Sequence, residues 1–268
     1  MKIILILICF SVSQLSLAVF RSGGAGNGGD AIVCPNKVIL LDSYEAEKMH
    51  LTIDLTNPKV KVQTWRSMVS TAVKRLESFD EYTASLLYDY AMEMVTDFEK
   101  LVLFPSKRGK FVSLGYDIIA AINDSEHVST PAGCEEHPKQ LVSQVVPTGR
   151  LSYRYHFDKR LWEQMSLQEQ SMTILHEAWY RIMLENGAKT SVATRYINGL
   201  VASKEFELYS FQYYIEEIKA TELKYYTIRN TSAAIKHTEI KLNLKEHNLV
   251  NDESSTAVCA PGLVLNPS

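Results

Sequence analysis

Residues 166–187 leave little freedom in how they fold. Ser166-Leu167-Gln168-Glu169 has the spacing of a capping box, a hydroxyl placed to take an early helical N–H with an acidic residue three positions on. Met172, Leu175, Trp179, Ile182 and Met183 follow at helical intervals, and Gly187 falls where a helix C-terminus favours glycine. The spacing predicts a helix with one strongly apolar face, so the rest of the chain has to pack against it. That helix also carries the adjacent pair His176-Glu177.

Residues four apart share a helical face, so His176 lies beside Tyr180 and Glu177 beside Arg181. Zinc peptidases use a comparable helix, in which two histidines four apart bind the metal and the glutamate after the first polarises the attacking water. Tyr180 stands where the second histidine belongs, and a neutral phenol is a weak ligand. A zinc site with His176 as metal ligand and Glu177 as general base would have to recruit further ligands, and Glu205, Glu207, His237 and His247 are the candidates. A purely structural role accounts for the same residues more economically. Glu177 pairs with Arg181, or with Arg195 of the next helix, while His176 and Tyr180 cover the border between the core face and a neighbouring element. A third reading is a binding site without chemistry, with Tyr180, Arg181 and Arg195 as its residues.

Outside this helix the periodicity alternates between helical and extended. Lys37 to Leu41 is read as a strand running into Asp42-Ser43-Tyr44-Glu45. Val62, Trp65, Val69, Val73 and Leu76 mark one helix; Leu86, Leu87, Tyr90, Met94, Phe98 and Leu101 mark a second, with Asp80 placed to cap it and Pro105 to Gly109 ending it. These two form an antiparallel pair. Residues from there to Pro138 are read as irregular. Residues 140–146 and 150–158 flank Pro147-Thr148-Gly149 as a β-hairpin whose second strand alternates Leu151, Tyr153, Tyr155 and Phe157 with polar residues. A short helix runs from Ser191 or Val192 to about Ser203; residues 206–226 are read as helix; and Ile240, Leu242 and Leu244 alternate as in a half-exposed strand. Asp89, Glu93 and Asp97 form a solvated helix face, and His127, His137 and His156 are isolated.

The N-terminus directs the chain out of the cytoplasm. Met1-Lys2, the apolar run from Ile3 to Phe10 and the small residues of Ser16-Leu17-Ala18 together make a secretory signal of residues 1–18, cleaved after Ala18. Serines and Gln14 break the run well short of the roughly 20 apolar residues of a membrane span, so no transmembrane anchor is expected after cleavage. Residues 19–30 are expected to be a flexible Gly-rich lead, residues 31–250 one domain and residues 251–268 a polar tail. About 250 residues can bury a full core without disulfides. The 28 basic and 31 acidic residues nearly cancel, which argues against nucleic acid as a partner. No Gly-x-Ser-x-Gly elbow, phosphate loop or dinucleotide fingerprint is present, so no cofactor is implied beyond the alternative zinc.

Five segments, Gly26-Asn27-Gly28-Gly29-Asp30-Ala31-Ile32-Val33-Cys34, Leu40-Leu41-Asp42-Ser43-Tyr44-Glu45-Ala46, Gly133-Cys134, Phe157-Asp158-Lys159-Arg160-Leu161-Trp162 and Leu175-His176-Glu177-Ala178-Trp179-Tyr180-Arg181, resemble in this order a family of exported Gram-negative bacterial proteins of unknown function. The resemblance spans roughly residues 26–203 and implies a periplasmic or secreted protein with a His-Glu-Ala-x-Tyr-Arg helix; it supplies no catalytic residue or substrate. Cys34, Cys134 and Cys259 remain once the signal carries off Cys9, and three cysteines allow three pairings. Because Cys34 and Cys134 both lie within the resembling region, a Cys34–Cys134 disulfide is expected. The expected fold is α+β, a helical pair, a hairpin and the His-Glu helix in one domain, with an order of hairpin and helix that zincins share. The function expected is non-enzymatic binding or structural support in the cell envelope or outside the cell; the alternative is a divergent zincin-like metallohydrolase using His176 and Glu177.

Overall fold

The Ser166 hydroxyl accepts the Glu169 N–H at 3.2 Å, and the helix begins at the next residue. The computed structural model describes residues 28–103, 111–114, 125, 128–144, 154–186, 188, 190–219, 221, 226–230 and 238–242. In chain order the elements are β1 (Asp30–Cys34), β2 (Lys37–Leu40), α1 (Leu41–Lys48), α2 (Trp65–Glu77), α3 (Glu81–Leu103), β3 (Phe111–Leu114), β4 (Lys139–Gln140), β5 (Val142–Gln144) and β6 (Tyr155–Asp158). They continue with α4 (Lys159–Trp162), α5 (Leu167–Glu185), α6 (Val192–Ala202), a 3-10 turn (Glu205–Leu208), α7 (Phe211–Lys219), β7 (Tyr226–Asn230) and β8 (Thr238–Leu242). The fold is α+β: helices build the core, and small sheets ordered β2-β1-β4, β3-β6-β5 and β7-β8 lie against it.

Helix α5 is the centre of the packing, touching α1, α2, α3, α6 and β2. Ten consecutive residues from Ser171 to Tyr180 are buried, so this is a helix enclosed on every side and not one with a single apolar stripe. Antiparallel α2 and α3 form the expected pair. Asp80 caps α3 through Thr83 N–H at 3.0 Å. Helix α2 starts later than its apolar spacing suggests, because Thr64 and Ser67 cap each other reciprocally, leaving Val62 outside the helix and 71% exposed. The hairpin strands pair as expected, Val142 opposite Phe157 and Gln144 opposite Tyr155; its turn lies outside the described residues. The stretch read as irregular before Pro138 contains β3, which pairs in parallel with β6. Such pairing joins residues far apart in sequence and leaves no local signature.

Two further differences bear on the site. The strand at Lys37 stops at Leu40, and residues read as its continuation form α1. No side chain of its own caps α1; instead the Glu169 carboxylate, from the first turn of α5, accepts the Leu40 N–H at 2.8 Å and the Ser43 hydroxyl at 2.9 Å. The last residues of the expected flexible lead are not loose either: Gly28, Gly29 and Asp30 are buried, and Asp30 opens β1. Cys34 and Cys134 are joined in a disulfide with Cα atoms 4.1 Å apart, tying β1 to the loop before β4. The signal segment, Cys259, His127, His237, His247, Gly187 and the polar tail lie outside the described residues. Among the described residues, no helix is long and apolar enough to cross a membrane.

Candidate functional site

His176 and Glu177 sit at the middle of α5, and both are 0% exposed. Adjacent helical residues point about 100° apart, so the two side chains leave the helix towards different neighbours. His176 faces α1, where its Nδ1 lies 2.8 Å from Asp42 Oδ2. A carboxylate oxygen can only accept, so Nδ1 carries the proton. Asn198 of α6 donates Nδ2 to the same Asp42 oxygen at 2.7 Å and to Met172 O at 3.0 Å, linking α1, α5 and α6 through one buried carboxylate.

Glu177 faces the sheets. Its Oε1 accepts the Gly29 N–H at 2.7 Å, and its Oε2 accepts Gln144 Nε2 at 2.7 Å. The same Gln144 amide also donates to Glu177 O at 2.6 Å. The chain approaches closely here, since a Cβ on Gly28 would meet Val142 O at 2.1 Å and Glu177 Oε1 at 2.8 Å. Glycine is needed at residue 28 because any side chain would collide with fixed backbone.

Burial pushes the Glu177 carboxyl up, with the charge of His176 and the bonds from Gly29 and Gln144 pulling the other way. For His176 burial acts downwards, but the charge and hydrogen bond of Asp42, with Glu177 adding to them, outweigh it and raise the imidazole. Glu169 rises to about 7, chiefly through burial and against its bonds from Leu40 and Ser43. The pair thus sits in a closed polar network in which Glu177 and His176 hold protons more tightly than in water.

The remaining sequence candidates scatter from this centre. Tyr180 is fully buried one turn along, its ring centroid 6.1 Å from that of His176. Arg181 does not pair with Glu177. It turns to α3, where it donates to Glu93 at 3.1 Å and lies 3.6 Å over the Tyr90 ring, with Glu185 at 3.5 Å on its own helix. Arg195, 1% exposed, donates Nε to Glu45 of α1 at 2.9 Å and NH1 to the Ser191 hydroxyl at 3.0 Å, so it too leaves Glu177 to Gly29 and Gln144. Glu205 accepts the Thr52 N–H and Glu207 pairs with Arg75, neither at the His-Glu pair.

Among the described residues no three His, Cys, Asp or Glu side chains come together to hold a metal, and both Glu177 oxygens are engaged; Nδ1 of His176 is held by Asp42, while its Nε2 has no hydrogen-bond partner there.

The residues that build the centre and that helical spacing alone could not single out are Gly29, Asp42, Gln144 and Asn198. A signal for two of them was present, because Gly29 and Asp42 belong to the Gly-rich and Leu-Leu-Asp-Ser-Tyr-Glu segments, and the chain brings both onto the His-Glu pair. Comparison with protein-family models, with curated proteins and with solved structures found no match.

Proposed function

We propose that this is an exported protein that acts by binding, in the periplasm or outside the cell, and that its His-Glu pair is architecture and not catalytic machinery. The observation that carries the reading is the state of Glu177: wholly buried, with both carboxylate oxygens taken by Gly29 and Gln144. A general base needs a free lone pair within reach of water or substrate. Here the carboxylate serves as a clamp that holds the incoming N-terminal segment and β5 onto α5.

One observation favours the metallohydrolase as a second reading: Nε2 of His176 has no hydrogen-bond partner among the described residues. The two readings part on one experiment with the purified mature protein, zinc content and hydrolysis measured for the parent and for His176→Ala. The binding role expects well under half an equivalent of zinc, roughly the occupancy below which a dedicated site is doubtful. Stoichiometric zinc that disappears in His176→Ala, together with chelator-sensitive hydrolysis of a peptide or ester, overturns it.

A further inference from the structure

A cleft of about 360 Å³ lies between α2, the segment 57–59 and the 3-10 turn. Of the charged side chains that line it, Lys59, Lys74 and Arg75 are cations and Glu207 is the one carboxylate, so three positive charges against one negative leave the lining at +2. The chain as a whole carries a formal net charge of −3. The wall that brings Lys59 is tied to itself: Asn57 N–H bonds Gln63 Oε1 at 3.1 Å, Gln63 Nε2 returns to Asn57 O at 2.9 Å and Val60 O at 3.0 Å, and Lys59 N–H bonds Asn57 Oδ1 at 3.0 Å. Asparagine holds a turn in this way by bonding the backbone two residues on, so this wall is formed without a ligand.

Arg75 anchors the cleft, and its side chain is only 7% exposed. Nη1 donates inward, to Asp54 O at 2.7 Å and Ala202 O at 2.9 Å, while Nε donates to Glu207 Oε1 at 2.8 Å. A guanidinium is a flat, rigid fork whose Nε and Nη2 share one edge, so Nη2 lies on the side of Glu207, which lines the cleft and is 60% exposed. Nη2 has no hydrogen-bond partner among the described residues, and it is not sealed from solvent. Folding has thus fixed the direction of a charged donor and left it open. The other carboxylate close to Arg75 belongs to Asp54, whose Oδ1 is taken by the Thr56 N–H at 3.0 Å and the Thr56 hydroxyl at 2.6 Å, with the positive charge of Lys204 also acting on it.

We propose that this cleft binds the phosphate group of a phosphomonoester, with Arg75 Nη2 as the fixed donor and the ammonium groups of Lys59 and Lys74 completing the site. The assignment rests on the binding role proposed above and names its ligand class. Guanidinium and ammonium groups donate and cannot accept, so the ligand they suit is one that offers acceptors alone. A phosphomonoester is close to a dianion at neutral pH, which matches the +2 of the lining, whereas a carboxylate offers one charge. Because Arg75 is already held by Glu207 and two carbonyls, ordering it costs nothing further when the ligand arrives. The volume of the cleft lies within the range of small-ligand sites and leaves room for the group that the phosphate esterifies.

The test is isothermal titration calorimetry of the full mature protein at neutral pH and low salt, with inorganic phosphate, glycerol 3-phosphate and acetate as the probes. Glycerol 3-phosphate is expected to bind with a dissociation constant of about 1 mM or tighter, and acetate far more weakly. Lys59→Glu and Lys74→Glu, both at exposed positions, should each weaken binding about tenfold, while Lys48→Glu makes the same change of net charge at the end of α1 and should leave it unaltered. Glu207→Gln should tighten binding severalfold, since it removes the one carboxylate of the lining and frees Nε beside Nη2 for a two-pronged contact. Unfolding midpoints equal to the parent's confirm that these variants are folded. Vesicles of phosphatidylcholine with and without phosphatidic acid then tell the sources apart: protein that floats only with phosphatidic acid takes a lipid headgroup, and protein that stays behind takes a soluble ester. The proposal is overturned if neither phosphate compound gives heat, if acetate binds as tightly, if Lys48→Glu weakens binding as much as Lys74→Glu, or if Glu207→Gln binds no more tightly. Such a failure leaves the binding role standing, whereas stoichiometric zinc and chelator-sensitive hydrolysis by the parent protein remove the binding role itself.

Discussion

Replacing Glu177 by alanine strips two buried donors of a carboxylate acceptor at once. Gly29 N–H and Gln144 Nε2 each lose a carboxylate oxygen 2.7 Å away, inside a region where neither can turn to water. A buried donor left unpaired costs ~1–3 kcal/mol; Gly29 N–H loses its acceptor outright, whereas Gln144 Nε2 keeps its bond to Glu177 O at 2.6 Å, so the two together cost ~2–5 kcal/mol. Part of this is returned, because burial raises the Glu177 carboxyl and its removal relieves that desolvation. The expected net loss for Glu177→Ala is ~2–4 kcal/mol. Glu177→Gln should cost less, about 1–2 kcal/mol, since one oxygen survives for Gly29, while the Gln144 amide can accept the new amide through Oε1 only by giving up its bond to Glu177 O. Urea unfolding with the disulfide intact, followed by far-UV circular dichroism and by the fluorescence of the three tryptophans, of which Trp179 is fully buried, gives both values by linear extrapolation. An alanine variant with the parent's midpoint would refute the clamp. So would a glutamine variant that keeps full stability and loses a metal-dependent hydrolytic activity.

Four further outcomes follow from the same geometry. The carboxyl of Glu169 is raised on folding, so its contribution to stability is present below the ordinary value of 4.5 and is lost as pH rises through about 7. Glu169→Gln should flatten that decline, worth at most ~3 kcal/mol, in unfolding curves taken between pH 4 and 8, roughly the window those two values bound; an unchanged slope contradicts it. Gly28→Ala should destabilise by ~1–3 kcal/mol or more, because its Cβ would lie 2.1 Å from Val142 O, and a melting temperature equal to the parent's rules this out. Cys34→Ser should cost ~2–5 kcal/mol, since the bridge closes a sequence separation of 100 residues; peptide mapping without reduction should recover Cys34 linked to Cys134, and a link to Cys259 would be the adverse result. Intact mass of the exported protein should begin at Val19, and a retained Met1 or a lipid mass on Cys9 counts against the cleaved signal.

Elements with their own local signals are legible in the sequence. Ser166 and the apolar spacing after it announce α5; Asp80 announces the start of α3; alternation around Tyr155 and Phe157 announces β6. In each case the residues that define the element lie within a turn or two of one another, so capping and periodicity suffice. Helix α1 is not legible in this way, because the carboxylate at its start comes from Glu169, 129 positions away from the Leu40 it caps. The partner of Glu177 escapes sequence reasoning for a related reason. Helical spacing makes Arg181 its nearest opposite charge, but spacing describes an exposed face, and α5 is enclosed. What its buried faces meet depends on which strands and helices are stacked against them. Sequence alone therefore determined that a helix bears His176-Glu177 and that an apolar core forms around it. Only the tertiary structure decided that Gly29 and Gln144 take the glutamate, that Asp42 takes the histidine, and that both arginines are committed elsewhere, because buried polar groups pair with whatever long-range packing brings to them.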